Sequence, residues 1–252
     1  MDDIKTVVHE WPELKDPVLV EGLPGVGNVG KLAAEHLLEQ CKAKKFADIY
    51  SKFFPPQVLL DDDGIVRLVS NALYYSKGEG ETPDIIFLVG DYQGLTPEGQ
   101  YELSDQVMQL AKRLHVKRIY TLGGYGIGRM LEKPRVLGAA TEAGLVEEMK
   151  TKGVVFSKGE PGSGIVGASG LLLGLGKIYG TPAVCLMGET SGYFVDPKGA
   201  EAVLRVLANI LNVKVDFTEL ANKAEQIDAI ASKLKEIESP QEPKREDLGY
   251  IG

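Results

Sequence analysis

Pro17-Val-Leu-Val-Glu-Gly-Leu-Pro-Gly-Val-Gly-Asn-Val-Gly-Lys31 is the stretch that decides the fold. Its first four residues are a β-prone apolar run. Glu21 to Gly30 form a glycine-rich turn, and a helical run starts at Lys31 and carries Leu32, Ala33, His36, Leu37 and Leu38. Strand, glycine turn and helix in this order open a βαβ unit. The chain is therefore expected to be α/β: a three-layer sandwich with a central, mostly parallel sheet, helices on both faces, further C-terminal helices and a flexible tail.

The rest of the sequence repeats the pattern. An apolar stretch covers Phe46 to Tyr50. Gln57 to Leu60 and Ile65 to Val69 flank Asp61-Asp-Asp-Gly64, the turn chemistry of a β-hairpin. Ile85 to Val89 is a continuous apolar run, as in a strand covered on both faces. Leu103, Val107, Leu110, Ala111 and Leu114 recur at spacings of three and four, which predicts a helix from about Gly99 to His115. Ile119 to Leu122 is the next strand and runs into Gly123-Gly-Tyr-Gly-Ile-Gly128. Val154 to Phe156 is a short strand candidate, and Gly162 to Gly170 opens an apolar helix that ends near Tyr179. Ala183 to Met187 is a strand leading to Gly188-Glu-Thr-Ser-Gly192. Pro197 to Leu211 is a helix with Asp196 as N-cap and proline at its first position. Leu220, Ala224, Ile227, Ala231 and Leu234 give a last helix, Phe217 to Ile237, packed on this domain or on a neighbouring subunit. Residues 1–238 are thus one α/β domain with a C-terminal helix. Residues 239–252 are a polar tail with a docking segment at Leu248-Gly-Tyr-Ile-Gly252.

Composition narrows the function. The 252 residues carry 28 Lys+Arg against 36 Asp+Glu, a net charge of −8. That balance argues against nucleic-acid binding, which needs a basic footprint. The apolar runs are too short and too broken by glycine to span a membrane, and Met1-Asp2-Asp3 lacks the basic start of a signal peptide. Cys41 and Cys185 are too few for a disulfide framework and fit a reducing cytoplasm. Glycine is 30 of the 252 residues, well above the usual roughly 7%, and much of it follows strands.

Gly25-x-Gly27-x-x-Gly30 matches the dinucleotide fingerprint in its proper place between strand and helix. Small residues there let backbone N–H groups and a helix N-terminus approach an anion. Asp48 lies about twenty residues beyond, the offset of the ribose-binding acid, but inside a strand rather than at its end. Gly25-x-x-x-x-Gly30-Lys31 also begins a Walker A loop. Leu32 then stands where a Ser or Thr should hold Mg²⁺, which argues against a P-loop ATPase. Asp91 and Glu189, with Thr190 and Ser191, follow strand runs, at the sheet edge where α/β ligand sites form. Gly25, Gly27, Asn28, Gly30, Asp91 and Glu189 are the candidate ligand-binding residues of a nucleotide- or nucleoside-binding enzyme. The alternative is that the glycines only permit a tight turn and close packing. There is no G-x-S-x-G elbow and no H-E-x-x-H motif, and His9, His36 and His115 show no ligand spacing. The sequence offers no catalytic constellation and calls for no metal or cofactor.

Taken together, Glu21 to Lys31, the hairpin with Asp61 to Asp63, Gly90-Asp-Tyr-Gln93, Leu122-Gly-Gly-Tyr-Gly126 and Gly188 to Gly192 resemble the proteasome assembly chaperone 2 family, its archaeal homologues in particular. The resemblance covers roughly Ile4 to Ala231. It implies a three-layer fold similar to nucleoside phosphorylases and a cytoplasmic homo-oligomer, in the trimer-to-pentamer range, that binds proteasome α-subunits or the α-ring as a non-enzymatic partner. It also implies docking through C-terminal tails that end in hydrophobic-Tyr-any residue. Here Tyr250 is third from the end and Ile251 penultimate. The implied contacts are Leu248, Tyr250, Ile251 and Gly252 in a shifted register. The resemblance leaves open whether the role lies in assembly or in activation.

Overall fold

The apolar run at 17–20 becomes β2 (Val18–Gly22), and every residue of it is buried. The computed structural model describes residues 2–129, 131–159 and 164–238. In chain order the strands are β1 (Ile4–Val8), β2, β3 (Lys44–Ser51), β4 (Val58–Leu60), β5 (Val66–Leu68), β6 (Asn71–Ser76), β7 (Ile85–Gly90), β8 (Arg118–Gly126), β9 (Val136–Ala140) and β10 (Ala183–Thr190). The helices are α1 (Val29–Gln40), α2 (Pro97–Arg113), α3 (Ala143–Thr151), α4 (Ala168–Tyr179), α5 (Pro197–Leu211) and α6 (Thr218–Glu238).

Eight strands make one sheet in the order β1-β3-β6-β7-β2-β8-β10-β9, and β4 and β5 form a separate hairpin. The central strands β7, β2, β8 and β10 are mutually parallel. Antiparallel strands flank them: β6, β3 and β1 on one side, β9 on the other. With β3 included, five of the eight strands run one way. Side chains alternate between the two layers, as the pleat requires. Val18 and Val20 pack toward α1, α3, α5 and the start of α6, with Ala33, Leu37, Met149, Val203, Leu207 and Leu220. Leu19 packs toward α2 and α4, with Leu103, Val107, Met108 and Leu172.

Several elements follow from local chemistry. Thr96 caps α2 by accepting from Gly99 N at 3.0 Å, with Pro97 in the first turn. Asp196 caps α5 by accepting from Gly199 N at 2.9 Å, with Pro197 in the same position. The expected hairpin forms as β4 and β5. His36 lies buried within α1, but His115 lies beyond the end of α2, in the left-handed region at φ 56°.

Other expectations need correction. β1, β6, β9 and α3 carry weak local signals. The five residues of β9 include Gly138, Ala139 and Ala140, and pairing with the fully buried β10 holds that strand in place. Val154 to Phe156 is not a strand and makes only one bridge, Leu137 to Val155. Gly138 explains its position: a Cβ there would meet Val154 Cγ1 at 2.5 Å and Phe156 Cζ at 2.6 Å. The glycines at 123–126 and 188 lie inside β8 and β10, not after them. Helix α4 starts at Ala168, within the glycine-rich segment expected to open it, and ends at Tyr179.

Helix α1 lies against the sheet with almost no gap. A Cβ on Gly30 would sit 2.0 Å from Leu122 O of β8, and one on Gly22 would sit 2.3 Å from Ala34 Cβ. Gly30→Ala is expected to destabilise the fold by about 3 kcal/mol, since backbone cannot yield as a side chain can. Gly174→Ala, in α4 with open space around it, is expected to stabilise by up to about 1 kcal/mol through helix propensity. Urea unfolding of the two variants checks the pair, and equal midpoints would contradict this reading of the glycines.

Candidate functional site

Past Gly22 the chain turns at Leu23 and Pro24, makes a 3₁₀ turn over Val26–Asn28, and enters α1. Gly27 has φ 62° and Asn28 φ 49°, so two successive residues in the left-handed region set the entry angle. The loop interlocks with its neighbours. A Cβ on Gly124 of β8 would meet Val26 O at 2.2 Å, and one on Gly27 would meet Thr190 Oγ1 at 2.7 Å. Asp196 N donates to Gly27 O at 2.8 Å. Lys31, the Walker-type lysine, donates to Gly90 O at 2.8 Å and pairs with Glu35 at 3.2 Å. It is tied to the sheet, not held over an anion site.

A crevice of about 290 Å³ opens beside this loop, above the carboxyl ends of β2, β8 and β10 and between the starts of α1 and α4. From β2 the chain crosses through α1 to β3, on the β7 side, and from β7 it crosses through α2 to β8, on the other side of β2. The crevice therefore occupies the switch point where ligands bind in open α/β sheets. Leu23, Val26, Leu122, Ile165, Val166 and Met187 supply apolar wall, and the backbone of Gly123 to Gly126 lines one side. Gln93 also lines it, but its amide is occupied: Nε2 donates to Pro24 O at 2.8 Å, and Oε1 accepts from Ala168 N at 2.9 Å. No Lys, Arg or His is among the described lining residues.

Of the candidate ligand residues, only Gly25 and Gly30 line the crevice. Asp91 is clamped by Arg67 through two hydrogen bonds of 2.6 and 2.9 Å and accepts from Ser70 N at 3.0 Å. Burial pushes its carboxyl up, but the Arg67 guanidinium and the Ser70 N–H outweigh that and hold it below the usual range. Glu189 is buried and takes Arg135 Nε at 2.8 Å and Arg135 N at 2.9 Å. The guanidinium holds its carboxyl low. Both acids serve as struts that fasten loops to the sheet. Asp48 is buried beside Lys45 at 2.5 Å and His9 at 2.8 Å, far from a ribose-binding role. His36 is buried, with Nε2 2.6 Å from Asp216 O, where it ties α1 to the entry of α6. Cys185 is fully buried, and burial pushes its thiol up to about 12. Leu248, Tyr250, Ile251 and Gly252 lie outside the described residues.

Sequence reasoning missed Glu21 and Ser169. Glu21 is wholly buried near the end of β2. Its Oε1 accepts from Leu23 N at 3.0 Å and its Oε2 from Ser169 Oγ at 2.9 Å. Ser169, in the first turn of α4, lines the crevice. Burial raises the Glu21 carboxyl to about 7, against the pull of these two donors, and no cation is among the causes. A charged residue closing the run Val18-Leu-Val20 was the available signal.

Mixed sheet, two helical layers and glycine-locked loop define a three-layer α/β protein whose acidic edge residues are structural. The chain belongs to the PAC2 family, whose profile matches residues 19–235. An uncharacterized protein of Methanocaldococcus jannaschii is 38% identical over 97% of this chain and 96% of its own length. Among solved structures, Pyrococcus furiosus PbaB, an archaeal proteasome activator, is 40% identical with a TM-score of 0.89, over 93% of this chain and all of that one. Pyrococcus furiosus PbaA, an archaeal homolog of proteasome-assembly chaperone, is 28% identical with a TM-score of 0.78, over 94% of this chain and 93% of that one.

The raised Glu21 carboxyl predicts a pH dependence. Its usual value is 4.5 and its folded value about 7, so the folded chain holds this proton more tightly than the unfolded chain. Stability from this group is full below about 4.5 and falls as pH rises to 7, a loss of roughly 3 kcal/mol. Glu21→Gln removes the loss. Between pH 5 and pH 8 the variant is expected to gain on the parent by up to that amount in urea unfolding. A difference that stays flat with pH would contradict a buried, titrating Glu21.

Proposed function

We propose that this protein is a proteasome partner that acts as a cytoplasmic homo-oligomer, of trimer-to-pentamer size, and docks on the proteasome α-ring through Leu248, Tyr250, Ile251 and Gly252. The observation that carries the reading is the full-length likeness to PbaB at 40% identity, a protein described as a proteasome activator. The lower identity to the assembly-chaperone homolog PbaA tilts the reading toward an activator-like partner.

The architecture supports it physically. Helix α6 is held to the body by its first turns. Leu220 and Ala224 are buried there, Lys198 pairs with Asp228 at 2.8 Å, and Ile230 is 51% exposed. The exposed Ile230 gives this helix apolar surface for a neighbouring subunit. The β4–β5 hairpin has such surface too, where Val58, Leu60, Ile65, Val66 and Leu68 are all exposed. Beyond α6 the sequence turns polar before the Leu248 to Gly252 segment. Several such tails on one oligomer would bind far more tightly than one, because each docking raises the effective concentration of the next.

Deleting 249–252 is expected to reduce binding to archaeal α-rings by at least about a hundredfold, the scale of lost avidity. Fold and oligomeric mass should stay unchanged. Surface-immobilised α-rings titrated with full-length and truncated protein, alongside light scattering, make the measurement. Undiminished binding by the truncated oligomer would contradict tail docking.

A further inference from the structure

We propose that the crevice at the carboxyl ends of β2, β8 and β10 is a binding site for a small uncharged molecule with an N–H donor, which it gives to Ser169 Oγ. This goes beyond the proteasome reading and does not depend on it.

The argument starts from Glu21. A wholly buried carboxyl is costly to keep unless its oxygens are hydrogen-bonded. Glu21 is met by two donors and no cation. Leu23 N–H fixes Oε1 as an acceptor, and the Ser169 hydroxyl lies 2.9 Å from Oε2. When the carboxyl is ionised, Oε2 can only accept, so the Ser169 hydrogen is committed to it. Ser169 Oγ then turns only lone pairs toward the crevice it lines. Gln93, the other side-chain amide in the wall, has its groups occupied by Pro24 O, Ala168 N and Gln100.

The remaining chemistry restricts the ligand further. The described lining has no cationic side chain, and Lys31 is bonded to Gly90 O. The starts of α1 and α4 bring partial positive charge to the crevice, but an anionic group would still meet the field of ionised Glu21 with no cationic side chain among the described lining residues to offset it. Phosphates and carboxylates are therefore disfavoured, which argues against the nucleotide reading of the Gly25 to Gly30 motif. Apolar side chains make up much of the remaining wall. At about 290 Å³ the crevice lies at the lower end of ligand-site volumes. A flat amide or a nucleobase-like heterocycle has the required shape and donor.

Glu21→Gln tests the arrangement because it reverses it. Its amide oxygen can keep Leu23 N–H, and its Nε2 would then donate to Ser169 Oγ. The Ser169 hydrogen is freed from Glu21 and divides between Leu122 O, 3.5 Å away, and the crevice, so the site gains donor character and loses the negative charge.

The experiment titrates the full-length protein at pH 8 with benzamide and adenosine, each against an anionic counterpart, benzoate and adenosine monophosphate. Ligand-observed NMR reads the affinities. The neutral donors are expected to bind at least about tenfold more tightly than the anions, the worth of one good hydrogen bond. Ser169→Ala, which alters a half-buried side chain and keeps the fold testable, should weaken benzamide about tenfold. Glu21→Gln should shift the benzamide-to-benzoate ratio about tenfold toward benzoate. Absence of binding by both neutral probes at millimolar concentration would overturn the proposal. So would tighter binding of the monophosphate than of adenosine, or affinities that both substitutions leave unchanged.

Discussion

The contact of helix α1 with strand β8 at Gly30 and Leu122 is the constraint on which the rest depends. A hydrogen in place of a methyl lets the helix lie on the strand's backbone. Gly22 under Ala34 and Gly124 under Val26 repeat the device at the two ends of the same turn. Close approach brings the end of β2, the loop and the middle of β8 into one rigid corner. The parallel core β7-β2-β8-β10 is then buried on both faces, which its continuous apolar runs require.

That corner explains why a dinucleotide-like fingerprint has its lysine tied to the sheet and its helix pressed on a strand. The third glycine of such a fingerprint serves helix–strand packing; here Gly30 packs against Leu122 O and Gly27 against Thr190, while Gly25 lines the crevice. Lysine and acids that might have met a ligand are spent on the frame: Lys31 on Gly90 O, Asp91 on Arg67, Glu189 on Arg135. The crevice beside the corner is left neutral at its wall, with one buried carboxyl behind Ser169.

Much of the fold was legible because its strongest elements are locally consistent. β2, β7 and β10 are unbroken apolar runs, and α2 and α5 combine caps with clear periodicity. Of the antiparallel flanks only β3 was legible, from the apolar run Phe46 to Tyr50. β9 is held by its partner rather than by its own residues, and β1 and β6 mix polar with apolar residues instead of running unbroken. Strand ends were misplaced for a physical reason: Gly123 to Gly126 were read as a loop, yet β8 continues through them by pairing with Met187 to Thr190 of β10, and glycine there admits the close approach of the α1 loop. The site was harder still. Gly25 and Gly30 do line the crevice, but the groups with the most unusual environment, Glu21 and Ser169, are 148 positions apart and share no motif. Only the packing of α4 onto β8 and β10, beside β2, brings them together.

The central claim is that this PAC2-family body is a scaffold whose docking to the proteasome lies in the tail, while the glycine corner is internal structure. Hydrogen exchange on the full-length oligomer, with and without archaeal α-rings, tests it most directly. The account predicts slowed exchange at 248–252 on adding α-rings and no change from 22 to 31. Protection centred on 22–31 and the crevice, with the tail unaffected, would contradict it.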